Sequence, residues 1–143
     1  MTRSLVVGVD HVQLAMPVGG ENQARAFYGE LLGLEEVAKP AALARRGGCW
    51  FVGPGVDVHI GVDEDFRPAR KAHVAFVVDD VAGFRRRLGA DGISTIDDQA
   101  DIGVERFYTD DPFGNRLEFM AREAWGFTAQ GRNAPASRLP TDV

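Results

Sequence analysis

The chain has 143 residues, enough for one domain or two small modules sharing a core, and it needs no cross-link to fold. Apolar residues make up 45% and charged residues 26%, the balance of an ordinary globular protein. Sixteen Lys and Arg against 21 Asp and Glu leave a formal charge of −5, a field that repels phosphate backbones and argues against a nucleic-acid partner.

Taken in chain order, period-2 alternation dominates and is interrupted by two amphipathic helical patches. A first strand is expected over residues 6–16, stopped by Pro17, with Gly19-Gly20 as a loop. Residues 21–32 read as a helix with the apolar stripe Ala24, Phe27, Tyr28, Leu31 and Leu32, and Gly33 as its left-handed end. Extended stretches follow near 35–39, 48–52 and 56–62. The pattern then restarts. A strand is expected over 71–78, and Asp79 or Asp80 is placed to cap a helix that carries Val81, Phe84 and Leu88 inward and Arg85, Arg86 and Arg87 outward. Extended stretches near 94–98, 105–109 and 115–121 complete the second unit. Asp111-Pro112-Phe113-Gly114 has the residue order of a type I turn. The fold class is therefore α+β: two βαβββ modules, about 5–62 and 71–121, joined by a linker at about 63–70. The modules are expected to form a cup-shaped mixed sheet with the helices on the outer face. Residues 122–143, rich in Ala, Gly, Pro, Ser and Thr, read as a loose tail that Trp125 and Phe127 could pin.

Two offsets relate the halves. Val9-Asp10-His11-Val12 aligns with Lys71-Ala72-His73-Val74, and Gly55-Val56-Asp57-Val58-His59 with Gly114-Asn115-Arg116-Leu117-Glu118. Alternation then places Val12, Leu14 and Met16 on one face and His11 and Gln13 on the other. Likewise His59 lies opposite Val58 and Ile60, His73 opposite Val74 and Phe76, and Glu118 opposite Leu117 and Phe119. All three histidines of the chain and one glutamate are thus expected on the face that the helices leave uncovered. Imidazole and carboxylate are ligand types for Fe, Mn, Zn or Ni, and two His with one carboxylate is the non-haem iron pattern. Cys49, beside Trp50 and Phe51, reads as a small buried hydrophobe rather than a nucleophile.

The doubled unit, the opening Val9-Asp10-His11-Val12-Gln13-Leu14, the helix segment Ala26-Phe27-Tyr28-Gly29-Glu30-Leu31-Leu32-Gly33-Leu34 and the closing Phe107-Tyr108-Thr109-Asp110-Asp111-Pro112-Phe113-Gly114-Asn115-Arg116-Leu117-Glu118 resemble the vicinal oxygen chelate superfamily. That superfamily contains glyoxalases, fosfomycin-resistance transferases, extradiol dioxygenases and bleomycin-binding proteins, so the motifs are specific for fold and weak for reaction. The resemblance covers residues 5–121 and implies a divalent metal held by His11, His73 and Glu118, with His59 a fourth ligand or a catalytic acid–base. Glyoxalases carry a Glu where His59 stands. If His59 is not a ligand, three positions stay open, as in extradiol dioxygenases, which also place a Tyr before the ligand Glu; Tyr108 fills that place. The expected protein is a metal-dependent enzyme acting on a small substrate with vicinal oxygens, leaning to extradiol-type dioxygenase chemistry. Alternatives are a glyoxalase-type lyase or isomerase and a metal-free drug-binding protein. Members of this length are usually dimers, so the resemblance implies a homodimer; no apolar run approaches a membrane span and no secretory signal opens the chain, so a cytoplasmic protein with no membrane partner is expected.

Overall fold

A computed structural model describes residues 5–98 and 102–122; the expectations for the C-terminal tail, including Trp125 and Phe127, lie outside them apart from Arg122. The chain divides into two compact units with the boundary between Pro68 and Ala69.

In the first unit, β1 (Val12–Met16), β2 (Glu35–Val37), β3 (Cys49–Gly53) and β4 (Val56–Val62) form a sheet in the order β1-β4-β3-β2. β1 runs parallel to β4, and the other neighbours are antiparallel. The crossover from β1 contains the helix. It begins as α1 (Glu21–Ala24) and widens into a π-helix over Arg25–Leu31, where an uninterrupted α-helix was expected. Its buried stripe is the expected one, with Ala24, Phe27, Tyr28 and Leu31 facing in and Leu32 half-buried. Gly33 turns the chain out at φ +75°. They pack on Leu14, Met16, Cys49, Phe51, Val58 and Ile60, the alternating apolar set of the sheet. A short helix, α2 (Ala41–Ala44), was not anticipated.

The second unit repeats the plan. β5 (Val74–Val78), β6 (Ile96–Asp97), β7 (Arg106–Asp110) and β8 (Arg116–Ala121) pair in the order β5-β8-β7-β6, with β5 parallel to β8. α3 (Val81–Ala90) is capped by Asp80, whose carboxylate accepts from Gly83 N–H at 2.8 Å. It lays Val81, Phe84 and Leu88 on the sheet, and the Phe84 and Phe119 rings meet at 4.8 Å between centroids. Phe119 also contacts Phe76 and Phe107, both at 5.5 Å, so one aromatic cluster anchors the helix-covered face. The turn before β8 is tied by Gly114 N–H to Asp111 C=O at 3.0 Å and by Asp111 Oδ1 accepting from two backbone N–H groups.

The registers carry the offsets read from the sequence. Val12 pairs with Val58 and Val74 with Leu117, so equivalent positions stand 62 and 59 residues apart. Both opening strands are shorter than expected. β1 begins at Val12, opposite Val58, two residues into β4. His11 therefore precedes β1, and Leu5 and Val7 stand almost fully exposed at 97% and 94%. β5 likewise begins at Val74, leaving His73 just outside it.

Candidate functional site

His59 sits mid-strand in β4, opposite Gln13 of β1 and Trp50 of β3. Alternation that buries Cys49 and Phe51 puts Trp50 on the other face, where its ring stacks on His59 at 3.9 Å with an interplanar angle of 2°. His11 stacks on the same imidazole at 4.1 Å. Partial burial, and secondarily the neighbouring His11, pull the His59 pKa below its usual value. The His11 ring is oriented by its neighbour in sequence: Nδ1 donates to Asp10 Oδ2 at 2.8 Å. Because a carboxylate only accepts, it is Nδ1 that carries the proton of that bond.

Glu118 sits mid-strand in β8, opposite Ala75 of β5 and Tyr108 of β7. It is buried, although it lies on the face away from α3. His73 is held from both sides. Its Nδ1 lies 2.9 Å from the Lys71 carbonyl oxygen and its Nε2 2.9 Å from Glu118 Oε2. Glu118 Oε1 accepts from Arg106 Nη1 at 3.0 Å. Arg106 is further paired with Asp98 through Nη2 at 2.7 Å. Tyr108 donates to Asp98 Oδ2 at 3.1 Å and accepts from Arg106 at 2.8 Å. Burial, followed by the bond to Asp98, raises the Tyr108 pKa, and the bond to Glu118 leads the causes that raise that of Arg106. Arg106 also lines a cavity of about 710 Å³, whose walls include Val81, Arg85, Arg86 and Thr95. That volume suits a small molecule.

The expected residues thus fall into two pairs, His11 with His59 in the first unit and His73 with Glu118 in the second. Among the described residues no three His, Cys, Asp or Glu side chains form a group able to hold a metal ion. The donor chemistry nevertheless fits a divalent metal: two imidazoles whose Nδ1 atoms are engaged by oxygens at 2.8 and 2.9 Å, and a carboxylate beside the Nε2 of one of them. Asp10, Trp50, Asp98 and Arg106 were not singled out from the sequence as site residues. Trp50 and Arg106 could have been found by alternation, since each stands two residues or one register step from a named site residue. Cys49 is buried, as expected, and burial pushes its thiol up to about 11.

The Glyoxalase/Bleomycin resistance protein/Dioxygenase superfamily profile matches residues 8–119, and the chain belongs to that superfamily. It is similar to a solved protein of Bacillus anthracis described as of the glyoxalase family, at 52% identity and a TM-score of 0.80, over 84% of this chain and 98% of that one. A glyoxalase family protein from Enterococcus faecalis shares 23% identity at a TM-score of 0.61, over 79% of this chain and 96% of that one. The fosfomycin resistance protein FosX from Listeria monocytogenes shares 18% at 0.68, over 90% and 99%. The last two show likeness of fold alone. No match was found among curated proteins. No helix among the described residues is long and apolar enough to cross a membrane.

Proposed function

We propose that the chain is a divalent-metal-dependent enzyme acting on a small substrate with two neighbouring oxygens, with His11, His73 and Glu118 as metal ligands and His59 as the proton-transfer group. The observation that carries this reading is the His73 ring held between the Lys71 carbonyl and Glu118 Oε2, 2.9 Å from each, an arrangement that sets an imidazole nitrogen beside a carboxylate oxygen, the adjacent donor pair that a divalent cation takes. His11 supplies the third donor, from the same chain or from a second copy in a homodimer. A bound iron or manganese ion would supply Lewis acidity toward both substrate oxygens and an open position for dioxygen.

The chain's own residues do the rest. His59, stacked against Trp50 at 3.9 Å, is held as a proton acceptor for a substrate hydroxyl rather than as a fourth ligand. Three protein ligands then leave three positions, the number that two substrate oxygens and dioxygen require, which favours extradiol-type dioxygenase chemistry over glyoxalase-type isomerisation. Tyr108 acts through Asp98 and Arg106, which already engage its hydroxyl.

The test is elemental analysis after reconstitution with Fe(II), Mn(II), Zn(II) or Ni(II), followed by assay of catechols with and without oxygen. About one metal per chain and oxygen-dependent ring opening are expected. Less than about a tenth of a metal per chain would replace this reading with metal-free ligand sequestration. Anaerobic turnover of thiol adducts of dicarbonyls would replace it with isomerisation. Mixing His11→Ala with His73→Ala restores metal binding if the ligands come from two copies.

A further inference from the structure

The carboxylate of Glu118 is engaged at both oxygens, and the second engagement gives Arg106 a role. Arg106 Nη1 reaches Glu118 Oε1 at 3.0 Å, and the two side chains are only 11% and 9% exposed. The guanidinium is itself fixed at two further points, Asp98 Oδ2 at 2.7 Å and the Tyr108 hydroxyl at 2.8 Å. Tyr108 closes the cycle by donating to the same Asp98 oxygen at 3.1 Å. The register explains why these groups meet. Arg106 and Tyr108 stand two residues apart on one face of β7, and Tyr108 lies directly opposite Glu118. A guanidinium presents its N–H groups in a rigid planar fork, so it can bridge two carboxylates in one geometry; an ammonium on a flexible stem cannot.

We infer that Arg106 is a positioning residue for the Glu118 ligand: by holding Oε1 it turns Oε2 toward His73 Nε2, limits Glu118 to one-oxygen ligation, and retains Asp98 as its own counter-ion rather than as a further ligand. This rests on the metal reading above and extends it to the shape of the coordination shell. An open position on the metal survives only if Glu118 does not close on it with both oxygens, so the arginine protects the place that substrate needs.

Cobalt(II) titration of the metal-free protein tests this, read by the dissociation constant and by the visible absorption of the bound ion. Arg106→Lys keeps the unit charge, so repulsion of the metal is unchanged, but it loses the fork. Affinity is expected to fall about 10-fold or more, the usual cost of removing an outer-shell partner, with a changed cobalt spectrum as Oε1 is released. Asp98→Asn, at a side chain that is 26% exposed, removes the anchor of Arg106 without a core change and shifts both readouts in the same direction by less. It carries the test should Arg106→Lys fail to fold. If both folded variants bind cobalt with the parent constant and spectrum, the positioning role is overturned while the metal reading stands, even if their melting temperatures fall. If the parent itself binds neither cobalt nor zinc, nickel or iron, both are overturned.

Discussion

Replacing Glu118 by glutamine keeps the side-chain volume, removes the charge and turns one of the two oxygens into an NH2 donor, so it tests the electrostatics of the second unit's site. The carboxylate accepts from His73 Nε2 at 2.9 Å and from Arg106 Nη1 at 3.0 Å, with 9% of its side chain exposed. Hydrogen bonds to an ionised partner stabilise by about 1.5–3 kcal/mol and neutral ones by about 0.5–1.5, so the bond left on the amide oxygen loses about 1 kcal/mol, and the one that now meets the NH2 donor is lost at about 2 kcal/mol. Together they give about 3 kcal/mol of destabilisation in the metal-free protein. No cavity term adds to it, because the isostere fills the same space. With a urea slope of about 2 kcal/mol/M, the unfolding midpoint falls by about 1.5 M. The same substitution should abolish stoichiometric metal binding, since an amide is a poor ligand. A midpoint within about 0.2 M of the parent, together with retained metal, would refute both the buried ion-pair account and the assignment of Glu118 as a ligand.

His73→Ala should lose the metal, whereas His59→Ala should keep it and lose turnover; loss of metal from His59→Ala, measured by elemental analysis, would make His59 a fourth ligand. Gly48→Ala should destabilise the first unit by about 3 kcal/mol or more, read by chemical denaturation, because φ is +84° and the new Cβ would stand 2.3 Å from the Ile60 carbonyl oxygen. Gly92→Ala, at φ +74° with open space around it, should cost about 1 kcal/mol only. Cys49 should resist iodoacetamide at pH 8 in the native protein and react promptly in urea, because burial lifts its thiol from 9.0 to about 11. The sign follows directly: the thiolate forms more readily in the unfolded chain, so stability present below pH 9 declines as pH rises toward about 11.

Much of the architecture was legible in the chain because it is local or periodic. Alternation separated Leu14, Val58, Phe76 and Leu117 from Gln13, His59, Ala75 and Glu118, and the pairing registers place those sets on opposite faces. Spacing alone aligned the two halves at the offsets that the strands later adopt. Gly33 ended the helix where a left-handed residue was needed, and Asp80 capped the next one. Strand length was another matter. Residues 6–11 were read as the start of the first strand, yet they lie outside β1; β4 begins at Val56, so in the parallel register residues 6–9 have no partner to supply hydrogen-bond donors and acceptors.

The candidate site divides along the same line. The ligand types could be read from composition and position, because an imidazole or a carboxylate carries its chemistry wherever it stands. The partners could not. Trp50 stacks on His59 from across a β3–β4 pairing, and Arg106 reaches Glu118 from across β7–β8 while holding Asp98 beyond it. Those contacts depend on register between segments far apart in sequence, and a hydrogen bond or a ring stack exists only when that register brings two groups within a few ångströms. The chain by itself determined which side chains could serve and which face each would take. Folding decided which neighbours hold them, and therefore which oxygen of Glu118 and which nitrogen of His73 face each other.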